Sequence, residues 1–229
     1  MKQPERDLEK AAQAKRITQT LYQCYGEPHW RQPLPPLDEL VSTILSQNTN
    51  DGNRDRAFET LRQRFPTWEA VRDAPLEEVI DAIRSAGLAQ QKAPRIQALL
   101  RAITEEHGRL DLDFLHQFEA EAALRWLQQF KGVGPKTAAI VVLFSLNKAA
   151  FPVDTHIHRV TRRLGLIPES ANAEQAHQLL ASYFEASDYA SAHLNIIRLG
   201  REICQARKPK CSICPLNQDC AYYRREDHP

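Results

Sequence analysis

The sequence predicts an all-α protein. Two observations carry that expectation: apolar residues recur at helical spacing along nearly all of the 229 residues, and alternating runs typical of half-buried strands are absent. The length suits one large or two modest domains, each with a core of its own. Lys and Arg total 30 against 29 for Asp and Glu, so net charge gives no hint of a polyanionic partner. Any nucleic-acid surface must come from local clustering. The longest apolar run, Ala138–Phe144, is far short of the ~20 residues that span a bilayer, so the chain reads as soluble. Its polar, mixed-charge opening has no secretory pattern, which makes the cytoplasm the expected location. Four of the five cysteines fall between Cys204 and Cys220, and in a reducing compartment that clustering points to metal ligation rather than disulfides.

Taken in order, the first helix carries Ile17, Leu21, Cys24 and Tyr25 on one face, Cys24 reading as core, and stops at Gly26. The Pro-rich stretch from Arg31 to Pro36 reads as a crossing segment between domains. Leu40, Val41, Ile44 and Leu45 form the next stripe, then Ala57, Phe58, Leu61 and Phe65, introduced by Asp51 as an N-cap. Leu76, Val79, Ile80 and Ile83 lead to Gly87; Ile96, Leu99, Leu100 and Ile103 lead to Gly108. Ala123, Trp126, Leu127 and Phe130 run into the turn Lys131-Gly132-Val133-Gly134, after which Pro135 suits a first helical position. The helix from Pro135 to about Leu146 is apolar nearly all round and should be buried. Helices over Asp154–Leu164, Ala173–Phe184 and Tyr189–Cys204 precede the cysteine-rich tail.

A Gly-x-Gly turn between helices presents unpaired N–H groups at the start of the second helix, where the dipole adds positive charge. A DNA phosphate fits such a turn at Gly132, Val133 and Gly134, although most such turns only connect helices. The full string Phe130-Lys131-Gly132-Val133-Gly134-Pro135-Lys136-Thr137-Ala138 resembles the helix-hairpin-helix of the DNA glycosylase superfamily that includes endonuclease III. The resemblance continues through Val153-Asp154-Thr155-His156-Ile157-His158-Arg159-Val160 and the cysteine tail, from about Leu37 to Cys220. It implies a helical barrel over 35–149, a second helical domain from 1–34 and 150–229, and an active site in the cleft between them.

A lysine attacks a sugar carbon only as the neutral amine, so a useful one sits where burial or a positive neighbour lowers its pKa below ~10.4. Lys136, in the first turn of an apolar helix, meets that condition on paper. Asp154 follows 18 residues later. A helix from Pro135 to Leu146 is about 18 Å long. The connector to Val153, extended, reaches about 23 to 25 Å, so the chain can return Asp154 to the neighbourhood of Lys136. Asp154 also suits the N-cap of its own helix. By resemblance Lys136 is the nucleophile at C1′, forming a Schiff base that permits β-elimination on the 3′ side. Asp154 assists the amine and offsets charge developing on the sugar.

The lesion must be flipped from the duplex and the gap filled. By resemblance the filling residues are Asn48 and Leu88. The family carries glutamine at the position of Asn48 and a larger residue at that of Ala89, which leaves lesion preference open, as does neighbouring Gln47. The cysteine spacing C-x6-C-x2-C-x5-C over Cys204, Cys211, Cys214 and Cys220 divides between zinc and an iron–sulfur centre. Its likeness to the endonuclease III loop implies a [4Fe–4S] cluster. Arg207, Lys208 and Lys210, after Arg201, would then form a fixed cationic loop for phosphates. His156 reads as orienting Asp154 or contacting a phosphate, and His158 as exposed.

The expected function is base excision repair: a bifunctional DNA N-glycosylase and apurinic/apyrimidinic lyase for oxidised pyrimidines. Its partner is double-stranded DNA with damaged bases or abasic sites, met by a monomer. Adenine mismatch glycosylases lack the lysine, and lysine-bearing 8-oxoguanine enzymes generally lack the cysteine tail. A thymine or uracil mismatch glycosylase of the same fold, or a non-catalytic iron–sulfur DNA-binding protein, are the alternatives.

Overall fold

Helices and single turns make up the computed structural model, which describes residues 3–28 and 32–225, with the first helix's side chains from Asp7 onward. No strand occurs among the described residues. Pro33–Lys148 form one compact unit, and the segments on either side of it form a second. Arg31, in the Pro-rich stretch read as a crossing segment, lies outside the described residues. Among the described residues no helix is long and apolar enough to cross a membrane.

The central unit contains α2 (Pro36–Leu45), α3 (Asp51–Arg64), α4 (Trp68–Asp73), α5 (Leu76–Ala82), α6 (Ala89–His107), α7 (Ala120–Gln128) and α8 (Pro135–Ile140). Its core is built on α2, of which every residue but Asp38 is buried, and which packs on α3, α6 and α8. A helix so enclosed must be apolar on most of its faces, which the sequence around Leu40 to Leu45 supplies. Leu61, Val79, Ile83, Ile96 and Leu100 close the core around it, all at 0% exposure. Gln97 is buried and gives its side-chain amide to Val71 O (3.0 Å) and Ala74 O (2.8 Å), which satisfies carbonyls at the end of α4. The N-cap of α3 is Asn50, which accepts from Asn53 N, so Asp51 is the first helical residue and not the cap. Both side chains suit a helix start, and the backbone leaves the extended region one residue earlier than the sequence pattern indicated.

The second unit contains α1 (Gln3–Tyr25), α9 (Thr155–Arg163), α10 (Ala173–Tyr183) and α11 (Tyr189–Glu202). α1 packs on α10 and α11 along Ala14, Ile17 and Leu21. That seam continues to Tyr25, one turn beyond Leu21, which leaves Cys24 about 100° round the helix and exposed rather than in the core. α9 packs closely on α11: a Cβ added at Gly200 would meet His156 Cβ and Nδ1 at 3.1 Å, so any larger residue would need the His156 side chain to give by a few tenths of an ångström. A capping box of Asn172 and Gln175 starts α10.

Candidate functional site

Two separate settings hold the lysine and the aspartate. In the central unit, α7 leads through Lys131-Gly132-Val133-Gly134 into α8, with Gly132 at φ 93°, a conformation for which glycine carries no steric penalty. Gly134 is the N-cap and Pro135 the first helical residue. Lys136 follows in the first turn, half-buried. A Cβ at Gly134 would meet nothing within 4 Å, so it faces open space, and one at Gly132 would touch only Arg95 Cδ at 3.9 Å. Val133 differs from its neighbours. Its side chain is buried and its N–H already donates to Phe130 O (3.1 Å), so it anchors the turn and offers no amide to a phosphate. The regular helix expected to run to Leu146 is α-helical only to Ile140, then widens into a π turn over Val141–Ser145. Leu146 N donates to Val141 O across that turn (3.1 Å), a geometry that often marks functional helices.

In the other unit Asp154 caps α9, its Oδ1 accepting from Ile157 N at 2.7 Å. The segment before it is tied down at each step. His177 Nδ1 bonds Phe151 O and His193 Nδ1 bonds Pro152 O, both at 3.0 Å, and the Phe151 ring stacks on Phe184. Burial pulls His177 below the usual histidine range, which keeps it a neutral partner for the carbonyl. His156 is half-buried, and Arg159 Nη2 lies 3.1 Å from its Nδ1. A guanidinium only donates, so Nδ1 accepts and the neutral ring carries its proton on Nε2. Burial lowers the pKa of His156, with Asp154 opposing and Arg159 and Arg201 adding to the effect. His158 is half-buried rather than exposed, because its Nε2 bonds Ala171 O at 2.8 Å.

Asn48 and Leu88 share a backbone anomaly. Both are non-glycine residues with positive φ, 54° and 50°, and both are exposed, whereas Gln47 is half-buried. Leu88 precedes α6 in the left-handed conformation and is 48% exposed. An exposed leucine held there costs roughly 1–3 kcal/mol of backbone strain, the kind of strain that gathers at functional positions. Ala89, Gln90 and Gln91 border a shallow pocket beside it.

Cys204, Cys211, Cys214 and Cys220 line one pocket, closed by Val160 and Leu164 of α9 and Leu199 of α11. The four form an all-thiolate donor set, the chemistry of an S4 zinc site or of an iron–sulfur centre. Burial raises the Cys211, Cys214 and Cys220 thiols, Cys214 to about 11, so ionising them together calls for positive charge in the pocket. An iron–sulfur cluster supplies it and fits the all-thiolate donor set.

Two arginines that sequence reasoning missed complete this setting. Arg163 donates to Cys204 Sγ (3.4 Å), Gln205 O (2.7 Å) and Ala206 O (3.1 Å) and stacks over Tyr222; Arg159 Nε donates to Cys204 O (3.0 Å). The only signal in the sequence was their i, i+4 spacing on α9, which puts both on one face. Beyond them Arg207, Lys208 and Lys210 are exposed, with Lys208 at φ 51°.

Comparison with known proteins places these features. Residues 41–186 match the model of the HhH-GPD superfamily of base excision DNA repair proteins, and residues 204–220 match the iron–sulfur binding domain of endonuclease III. The chain is 32% identical to endonuclease III of Thermotoga maritima, covering 86% of this chain and 88% of that one. It is 33% identical to endonuclease III of Sulfolobus acidocaldarius, over 80% and 81%. A putative DNA glycosylase of Arabidopsis thaliana is 41% identical over 62% of the chain, which spans about half of that relative's length. Among solved structures, a trapped endonuclease III–DNA covalent intermediate superposes with a TM-score of 0.79 at 27% identity, covering 93% and 96%. The chain is thus an endonuclease III-like member of the HhH-GPD superfamily of base excision DNA repair proteins, and its four tail cysteines belong to a [4Fe–4S] loop.

Proposed function

We propose that the protein, as a monomer on double-stranded DNA, releases oxidised pyrimidines and nicks the strand 3′ to the abasic site. Relatives named endonuclease III and DNA glycosylase/AP lyase support the reading. The observation that carries it is Lys136, half-buried in the first turn of α8, two residues after Gly134, which faces open space. The neutral Nζ of Lys136 forms a bond to C1′ while the glycosidic bond breaks, its electron pair leaving with the base, which takes up a proton. The attached ammonium gives up one proton, Asp154 assisting; the C1′–O4′ bond then breaks, O4′ takes up a proton, and the opened sugar is held as a protonated imine that keeps one N–H. Loss of a C2′ proton then expels the 3′ phosphate, and water returns the lysine. Gly132 and Gly134 admit a phosphate close to the backbone, and Asn48 and Leu88 fill the gap left by the flipped nucleotide.

Borohydride reduction on a duplex containing an abasic site tests the chemistry. A covalent adduct is the expected result, and its absence from folded, cluster-loaded protein would leave a DNA-binding protein without this activity. A panel of duplexes with thymine glycol, 8-oxoguanine, and uracil or thymine opposite guanine tests the lesion class. Preference for the mismatches would shift the assignment to a mismatch glycosylase, a reading that Asn48 and Ala89 keep open.

Neutralising Arg207, Lys208 and Lys210 together is expected to weaken binding to damaged and undamaged duplexes alike. If all three meet phosphates, the slope of log affinity against log salt should fall by about 2 to 3. An unchanged slope would remove the loop from the DNA-binding surface.

A further inference from the structure

The largest fully buried side chain in the described residues is a lysine that the chemistry above does not use. Lys92, 2% exposed, lies one turn into α6. Its Nζ donates to Leu45 O (2.8 Å) and Ala86 O (2.9 Å), and its own N–H donates to Leu88 O (2.9 Å). Leu45 is the last residue of α2, and Ala86 the last of the single 3-10 turn Arg84–Ala86. Carbonyls at such ends lack helical partners and carry partial negative charge, which suits an ammonium. Burial pulls the pKa of Lys92 down, and the two carbonyls offset part of the cost of placing its polar head inside.

What the two carbonyls precede gives the contact its meaning. Three residues after Leu45 comes Asn48, and two after Ala86 comes Leu88, two of the four exposed non-glycine residues with positive φ among those described, at 54° and 50°. The far end of the first loop is tied to the same turn: Ser85 Oγ donates to Asn53 O (3.2 Å) at the start of α3, and the turn packs on α3. The loop 46–50 is therefore anchored to the root of Leu88 on both sides, once by Lys92 and once by Ser85. An apolar residue of the same length would fill the space but leave two buried carbonyls without a donor.

We infer that Lys92 is a positioning residue for base extrusion, a buried cross-tie that sets the spacing of Asn48 and Leu88 so that the two act on the duplex as one device. The inference rests on the gap-filling role proposed for those residues. Lys92 touches neither DNA nor the reacting atoms. Its effect is confined to steps in which a paired nucleotide must be displaced.

Lys92→Met, which keeps length and removes the donor, tests it. Single-turnover base release from a duplex lesion should slow by about tenfold to a hundredfold, while cleavage of an abasic site in single-stranded DNA stays within about twofold. Leu88→Ala should cost less in the Lys92→Met background than in the wild type. Equal losses on both substrates, or additive effects of Lys92→Met and Leu88→Ala, would overturn the inference, since a general loss of stability gives both. If Lys92→Met does not fold, the cycle of Asn48→Ala and Leu88→Ala in the otherwise unaltered protein decides: coupled losses support the cross-tie and additive losses reject it. If the unaltered protein releases no base, the activity reading fails separately. The same cycles read on affinity for a duplex with a stable abasic analogue then decide the cross-tie alone.

Discussion

Lys136→Gln should abolish the borohydride-trapped adduct and lower base release by about a thousandfold or more, because an amide nitrogen does not form the imine on which both steps depend. Binding to an abasic duplex should persist, since the turn at Gly132–Gly134 and the cationic loop are untouched. Asp154→Asn is its companion. Asparagine caps a helix as well as aspartate, so the bond now made from Ile157 N to Asp154 Oδ1 has a replacement acceptor and α9 keeps its start. The carboxylate charge alone is lost, and base release should fall by about a hundredfold or more with stability little changed. A Lys136→Gln protein that still traps would place the nucleophile elsewhere; an Asp154→Asn protein with full activity would reduce Asp154 to a cap.

The second large effect is expected on breaking the cysteine pocket. Between Cys204 and Cys220 only Leu216 and Cys220 are buried, so this segment has almost no core of its own. Its shape rests on ligation together with Arg163, which donates to Cys204, Gln205 and Ala206, and Arg159, which donates to Cys204 O as well as to Gly200 O. Cys214→Ser should yield protein without visible cluster absorbance and with a protease-sensitive tail, because metal-binding energy is folding energy where no site persists unfolded. Loss of several kcal/mol is a large part of the roughly 5–15 kcal/mol that holds a domain together. DNA affinity should fall about tenfold or more, with a shallower salt dependence, as Arg207, Lys208 and Lys210 lose their fixed arrangement. Unchanged affinity and salt slope in cluster-free protein would separate the cluster from DNA binding. Iron and acid-labile sulfide in equal amounts in the unaltered protein exclude zinc.

Much of this was legible beforehand, and the reason is local. A stripe such as Leu40, Val41, Ile44 and Leu45 reports a buried helix face because side-chain direction repeats every 3.6 residues whatever the helix packs against. Gly26 and Gly108 ended their helices as the sequence indicated, both with positive φ. Errors arose where a neighbour distant in sequence decided. Cys24 fits a helical apolar pattern, yet the seam on α10 and α11 passes through Tyr25. His158, expected to be exposed, bonds Ala171 O, and Val133, expected to offer its amide to a phosphate, donates it to Phe130 O.

The sequence by itself determined the helical class, the family, the cysteine set and the lysine and aspartate that the proposed chemistry needs, because these depend on residue type at fixed spacing along one stretch of chain. The tertiary structure alone decided which polar side chains are inside. No spacing in the sequence marks Lys92 as buried, between exposed Gln91 and buried Ala93, or Arg159 and Arg163 as bonded to the cysteine tail. Each is drawn in by backbone carbonyls at the ends of other segments, Leu45 and Ala86 for the lysine, Gly200 and Cys204 to Ala206 for the arginines. A polar group is buried where unpaired acceptors wait for it, and where those acceptors come to lie is settled only when the chain has folded.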